Sequence, residues 1–393
     1  MTAAAIQGVA DIRTLIMLIE SKREGKMDRL NWDGTPQALE QDRPELAYTD
    51  EVKAATDHLY EKVKHVVTPM EWPAKAPLIH AINQLKKEKN AVILAHNYMT
   101  ADIFHCVGDL MGDSLALARM AAESKADIIV QAGVHFMAET AKVLAPEKTV
   151  LIPDTRAGCS LASSITGEDV RRIKAAYPGV PVVTYVNTSA DVKAECDICC
   201  TSSNAVQVVE SLGSDTVILL PDQYLAKNVA AQTDVTILTW AGSCEVHEQF
   251  TAQDIQDLRD AHPGVVIITH PESPVDVVQA ADYAGSTAAM ADWARHSGAQ
   301  KAVLLTECSM SDNVAADVPE VEFIRPCNLC PHMKRITLEN IYDCLRLEQH
   351  EVTVPDDVIE GARRSVQAML DLPKPAKPAS FDPTRQEKPV EIV

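Results

Sequence analysis

The chain has 393 residues, 46% of them hydrophobic, so it can bury a sizeable core and is long enough for two or three ordinary domains. Its 36 basic side chains against 56 acidic ones leave a formal charge of −20 at pH 7, a surface that repels phosphate backbones and speaks against a nucleic-acid partner. No apolar run approaches the roughly 18–20 residues of a membrane span and no signal-peptide pattern opens the sequence. A cytoplasmic protein with no membrane partner is therefore expected. Its ten cysteines should be reduced there, some of them metal-binding or catalytic rather than a disulfide framework.

Ile6, Val9, Ile12, Ile16 and Ile19 recur at helical spacing and predict an amphipathic helix within an N-terminal helical extension, residues 1–72. From residue 90 onward, β-branched apolar runs alternate with helical patterns, the signature of an α/β fold on buried, largely parallel strands. The pattern occurs three times. VILAHNY at 92–98, VVTYVN at 182–187 and VIITHPE at 266–272 are each a strand ending in polar residues. A hydroxyl-bearing segment follows each one, GDS at 112–114, TSS at 201–203 and GST at 285–287, and is expected to open an alanine-rich helix. A second strand comes next, as DIIVQAG, TVILLPD and AVLLTEC, and the tetrapeptide NVAA stands at both 228 and 313. A third strand then runs into a cysteine: Cys159, Cys244 and Cys330, spaced 85 and 86 residues apart.

A period of that length is enough for a small layered domain. The expected fold is three homologous three-layer α/β/α domains, residues 73–178, 179–262 and 263–350, in a pseudo-threefold arrangement around a central active site. A C-terminal helix near 355–371 and a disordered Pro-rich tail would complete residues 351–393. Ligands in open α/β sheets sit beyond the carboxyl ends of the strands, so the three thiols and the strand-end groups would meet in one cavity. Three separate domains, each with a structural cysteine, are the bland alternative.

Three converging thiolates suit a soft metal centre, zinc, copper(I) or an iron-sulfur cluster. Structural zinc takes four closed ligands, whereas a 4Fe-4S cluster on three thiolates keeps one open iron that can act as a Lewis acid. The CxxC of Cys327 and Cys330 and the CxxCC of Cys196, Cys199 and Cys200 leave a local zinc or redox site open. Cys196, Cys199, Cys200, Cys106, Cys308 and Cys344 read as buried packing residues, the first three in a helical segment, and Cys327 as a reserve thiol or disulfide partner. Tyr98, His270 and Glu272 form an acid/base set at the strand ends. Ser114, Ser202 or Ser203, and Thr287 stand where helices begin, suited to N-capping, to anion binding, or to both.

HNY at 96, GDS at 112, AGC at 157, YVNTSADVKAECD at 185, CTSSNA at 200, HPE at 270, GST at 285 and the segment Cys330-Pro-His-Met333 together resemble the quinolinate synthase family, over roughly residues 75–350. Ala241 and Met99 depart from the residues that family often carries, away from any expected ligand. The resemblance implies a 4Fe-4S cluster on Cys159, Cys244 and Cys330, and condensation of iminoaspartate with dihydroxyacetone phosphate to quinolinate, phosphate and two waters for NAD synthesis. It implies substrate binding by His96, Ser114, Tyr185, Val186, Asn187, Ser202, His270, Pro271, Glu272 and Thr287. The iminoaspartate-producing enzyme is a candidate protein partner. Another 4Fe-4S hydro-lyase and a non-enzymatic iron-sulfur sensor are the rival readings, separated by a substrate assay and by a partner surface that this acidic chain does not advertise.

Overall fold

Three buried strands, β1 (Ala91–His96), β5 (Val182–Tyr185) and β9 (Val266–Thr269), are each an inner strand of a separate, mainly parallel sheet. The protein is described by a computed structural model over residues 43–373 and 380–393. The N-terminal amphipathic helix expected at Ile6–Ile19 lies outside the described residues.

Each of β1, β5 and β9 is flanked on one side by a three-residue strand: β2 (Leu110–Gly112), β6 (Ile198–Cys200) and β10 (Tyr283–Gly285). On the other side stand β3 (Ile128–Ala132), β7 (Thr216–Leu220) and β11 (Lys301–Leu305), followed by β4 (Thr149–Leu151), β8 (Thr236–Thr239) and β12 (Glu322–Ile324). The sheet orders are thus the same three times: β2-β1-β3-β4, β6-β5-β7-β8 and β10-β9-β11-β12. Parallel pairing requires a crossover between strands, and helices such as Ser114–Glu123, Gln223–Gln232 and Thr287–His296 supply it. Helices cover both faces, so the inner strands read as continuous apolar runs; Ile93, Val183 and Ile267 are fully buried.

The short flanking strands change two expectations. Each hydroxyl segment follows a short helix and a short strand, not the first long strand directly. Cys199 and Cys200 lie in β6, where a helical segment was expected, because pairing Val183 with Ile198 and Tyr185 with Cys200 extends the buried sheet. All three of Cys196, Cys199 and Cys200 are buried, as are Cys106 and Cys344.

The C-terminal part of the chain also departs from expectation. After the helix Asp356–Asp371, residues 380–393 are not a disordered tail: β13 (Ser380–Phe381) pairs antiparallel with β10, and β14 (Glu391–Ile392) pairs parallel with β8. Phe381, 2% exposed, anchors this segment, and Lys388 donates to the Thr233 carbonyl. The edge of β4 is met by residues 350–352, through Ile152 N–H to the His350 carbonyl and Val352 N–H to the Val150 carbonyl. Apolar anchors and open sheet edges outweigh the composition that suggested disorder. Cys308 and Cys327 form a disulfide, so these two thiols are not reduced. Among the described residues no helix is long and apolar enough to cross a membrane.

Candidate active site and metal centre

The carboxyl ends of β1, β5 and β9 open onto one cavity. The first sheet and its loops bring His96, Tyr98, Ser114 and Cys159 to its wall; the second brings Tyr185, Asn187, Ser202 and Cys244; the third brings His270, Glu272, Thr287 and Cys330. Two of the residues expected there do not line it. Val186 is 2% exposed and packs in the core, and Pro271 turns its carbonyl into the fold, toward Asn228.

Capping is performed by the residues just before the expected ones. Asp113 accepts from the Ala116 N–H and Ser286 from the Ala289 N–H, so the helices that begin at Ser114 and Thr287 are capped without those hydroxyls. Thr287 Oγ1 instead accepts from Asn97 Nδ2 at 2.9 Å. Ser202 precedes its helix, Ala205–Ser211, and lies 3.2 Å from His270 Nε2; Ser203 donates to Asp113. Asn187 Oδ1 is buried without a hydrogen-bond partner among the described residues.

Glu272 is the electrostatic centre of the wall. Its carboxylate accepts from the Tyr185 hydroxyl, and its other oxygen lies 2.8 Å from His247 Nδ1. Burial alone would raise its pKa, but His270, His247 and these hydrogen bonds together hold it well below the usual carboxylate range. Burial lowers His96 to about 4 and His270 to about 3, the latter against the pull of Glu272, so both imidazoles are neutral at pH 7. Burial, reinforced by Glu272, lifts the Tyr98 and Tyr185 phenols well above 10 and keeps them protonated. An ionised acceptor therefore sits beside two phenol donors and two neutral imidazoles, a set that can take up and return protons.

Cys159, Cys244 and Cys330 are free, partly exposed thiols on this same wall. Burial raises Cys159 to about 12, Cys330 to about 11 and Cys244 well above its ordinary value; Cys159 also feels Cys330, and Cys244 feels Cys159. With no ammonium or guanidinium among the described residues of the wall, the charge of a bound metal would be what makes these thiols thiolates. The donor set fits an iron-sulfur cluster with one iron left without a protein thiol. Cys244 Sγ, His247 Nδ1 and a Glu272 oxygen also lie within 4.8 Å of one another, a spacing that could hold one cation. The same three groups are linked to one another by hydrogen bonds, with His247 Nδ1 at 3.2 Å from Cys244 Sγ and 2.8 Å from the Glu272 oxygen.

His247, Asp113 and Glu307 line the cavity and escaped the sequence reading. His247 has no counterpart in the other repeats, where Ala162 and Met333 stand at the same distance from the cysteine. Glu307 could have been found, because it lies one period after Asp222 at the end of the same strand. Its carboxylate pairs with Lys334 at 2.8 Å, and Lys334 also donates to the Tyr98 carbonyl.

Comparison with known proteins agrees with this geometry. The family described as "Quinolinate synthetase A protein" matches residues 80–371. A quinolinate synthase of Caulobacter vibrioides is 64% identical over 349 residues, covering 88% of this chain and 95% of its own. "Quinolinate synthase 2" of Mesorhizobium japonicum is 62% identical, covering 81% of this chain and 98% of its own. The quinolinate synthase of Sinorhizobium medicae is 59% identical, with 84% and 92% covered. Identity at this level over most of both chains, on top of a three-thiol cavity at matching strand ends, means that the chain belongs to the quinolinate synthetase A family.

Proposed function

We propose that the protein condenses iminoaspartate with dihydroxyacetone phosphate to give quinolinate, phosphate and two waters. It would work in the cytoplasm, drawing its imine from the iminoaspartate-producing enzyme. The observation that carries this reading is the meeting of three free thiols and the polar ends of three repeated strands in one cavity. In this reading the three sheets stand about a pseudo-threefold axis through that cavity.

Cys159, Cys244 and Cys330 would hold a 4Fe-4S cluster, which when bound supplies a Lewis-acidic iron for a substrate oxygen. The protein's own groups do the rest. Glu272, ionised and steadied by Tyr185 and His247, accepts protons at its carboxylate as carbon–nitrogen and carbon–carbon bonds form. Tyr98, a protonated phenol 2.5 Å from Thr306 Oγ1, donates to a departing hydroxyl. His96 and His270, both neutral, offer one ring nitrogen as donor or acceptor without adding charge. The Ser114, Ser202 and Thr287 hydroxyls and the N-termini of the helices Ser114–Glu123 and Thr287–His296 receive carboxylate and phosphate oxygens, and Asn187 Oδ1 accepts a substrate N–H or O–H. Enclosure of both substrates contributes rate mainly through orientation.

The test is an anaerobic assay of cluster-loaded protein with both substrates, wild type beside Glu272→Gln. Quinolinate from the wild type, and its loss in Glu272→Gln at unchanged iron content, supports the reading. No quinolinate from loaded wild-type protein removes the reaction; full turnover by Glu272→Gln removes the assigned base.

A further inference from the structure

The repeated tetrapeptide NVAA places Asn228 on the helix Gln223–Gln232 and Asn313 on the helix Ser309–Asp317. Both side chains are 3% exposed, and neither lines the cavity. Asn228 Nδ2 donates to the Pro271 carbonyl at 2.8 Å and to the Ser273 carbonyl at 3.0 Å. Asn313 Nδ2 donates to the Asn97 carbonyl at 3.0 Å and to the Met99 carbonyl at 2.8 Å. Each amide thus spends both of its N–H groups on the carbonyls immediately before and after one residue: Glu272 for Asn228, Tyr98 for Asn313. Asn228 reaches forward along the chain from a crossover helix of the second sheet to the strand-end loop of the third, and Asn313 reaches back from one of the third sheet to the strand-end loop of the first.

We propose that Asn228 and Asn313 are positioning residues, which hold the carbonyls of the residues before and after Glu272 and Tyr98 and so fix where those two side chains enter the cavity. The inference rests on the roles assigned above to Glu272 and Tyr98. A carbonyl held on each side of one residue leaves its Cα little freedom to shift or turn, which single-sided anchoring would not achieve. The two positions one period apart repeat the same geometry with the same residue, although their loops, His-Pro-Glu and His-Asn-Tyr, differ in sequence. The third junction is built otherwise. Around Asn187 the following carbonyl, that of Thr188, accepts from Lys193, while Val186 N–H is tied to the Cys200 carbonyl. Thr140, the sixth residue of the helix His135–Leu144 as Asn228 is the sixth of Gln223–Gln232, donates to the Phe136 carbonyl within its own helix. The clamp is therefore confined to the two loops that carry proton-transferring groups, and the loop presenting the binding residue Asn187 lacks it.

The experiment compares cluster-loaded Asn228→Ala and Asn313→Ala with wild type and with Ser365→Ala, a buried hydroxyl bonded to the Lys193 and Ala362 carbonyls away from the cavity. Iron content, melting temperature, kcat and both KM values are measured at a temperature where every variant is folded. The expected result is wild-type iron content and a kcat roughly a hundredfold lower for each alanine variant, with KM within about threefold, because misplacement of a reacting group by about 1 Å costs that much in the chemical step. Ser365→Ala should lose melting temperature alone. Asn228→Asp and Asn313→Asp keep the volume but lose both donors, and they replace any alanine variant that does not fold. Asparagine variants with the kcat of Ser365→Ala overturn the clamp if Glu272→Gln and Tyr98→Phe are impaired in the same assay. If those two variants turn over normally, the roles of Glu272 and Tyr98 fail, and the clamp falls with its premise.

Discussion

His247 Nδ1 lies 2.8 Å from Glu272 Oε2 and 3.2 Å from Cys244 Sγ, so one buried imidazole touches both the ionised carboxylate and one of the three thiols of the cavity wall. Its other nitrogen is 2.9 Å from Thr306 Oγ1, which in turn bonds the Tyr98 hydroxyl. A hydrogen bond to a charged partner is worth about 1.5–3 kcal/mol, or roughly 10–100-fold in rate where it steadies a catalytic group. His247→Ala should therefore lose about that much kcat while the protein still folds. Quinolinate turnover per iron-loaded chain measures it; wild-type turnover would leave the contact without a catalytic consequence.

Serine at position 159, 244 or 330 should each abolish the intact cluster, whereas Cys106→Ala, Cys200→Ala and Cys344→Ala should retain it. The first three thiols line the cavity and the others are buried elsewhere. Iron and sulfide analysis after anaerobic reconstitution decides the ligand set, independently of any activity. Four irons per chain in Cys244→Ser, for instance, would strike that residue from it.

Acid should destabilise the fold in a defined window. Burial holds the His96 imidazole at about 4 rather than its ordinary 6.5, so below pH 6.5 the unfolded chain takes up a proton that the folded chain refuses. The stability due to His96 is whole above about pH 6.5, falls as pH drops from there to about 4, and then levels off. His270, held at about 3, extends the fall further down. Melting curves between pH 7.5 and 4.5 should be flatter for His96→Gln than for wild type. A parallel pair of curves would assign the acid sensitivity to other groups.

The Cys308–Cys327 bridge closes a loop with a sequence separation of 19, and loops near this size gain about 3 kcal/mol from closure. Cys327→Ser should lower the melting temperature by several degrees under non-reducing conditions and leave the iron content intact, since Cys330 is unchanged. Equal melting of the two proteins would mean that the bridge does not contribute to stability.

The inner strands were legible because strands buried on both faces must be apolar throughout: VILAH, VVTY and VIIT stand out against their neighbours. The cysteines at the strand ends were legible through their period. The flanking strands β2, β6 and β10 were not, since three residues are too few to display a periodicity, and the β6 sequence Ile-Cys-Cys suits a helix as well as a sheet. His247 could be seen beside Cys244 but had no repeated partner to set it apart, and its worth depends on Glu272 and Thr306, which approach from distant parts of the chain. The caps Asp113 and Ser286 stood one residue from the hydroxyls first considered, a distance that only backbone geometry resolves.

The path of the C-terminal segment carries a consequence for how copies of this molecule meet one another. Open rims of parallel sheets invite strand pairing between molecules, the first step toward fibrillar association. Here residues 350–352, Ser380–Phe381 and Glu391–Ile392 each occupy one such rim, in the first, third and second sheet respectively. Cutting back residues 380–393, which build no part of the cavity, should leave its lining in place and two adhesive flanks exposed, those of β8 and β10.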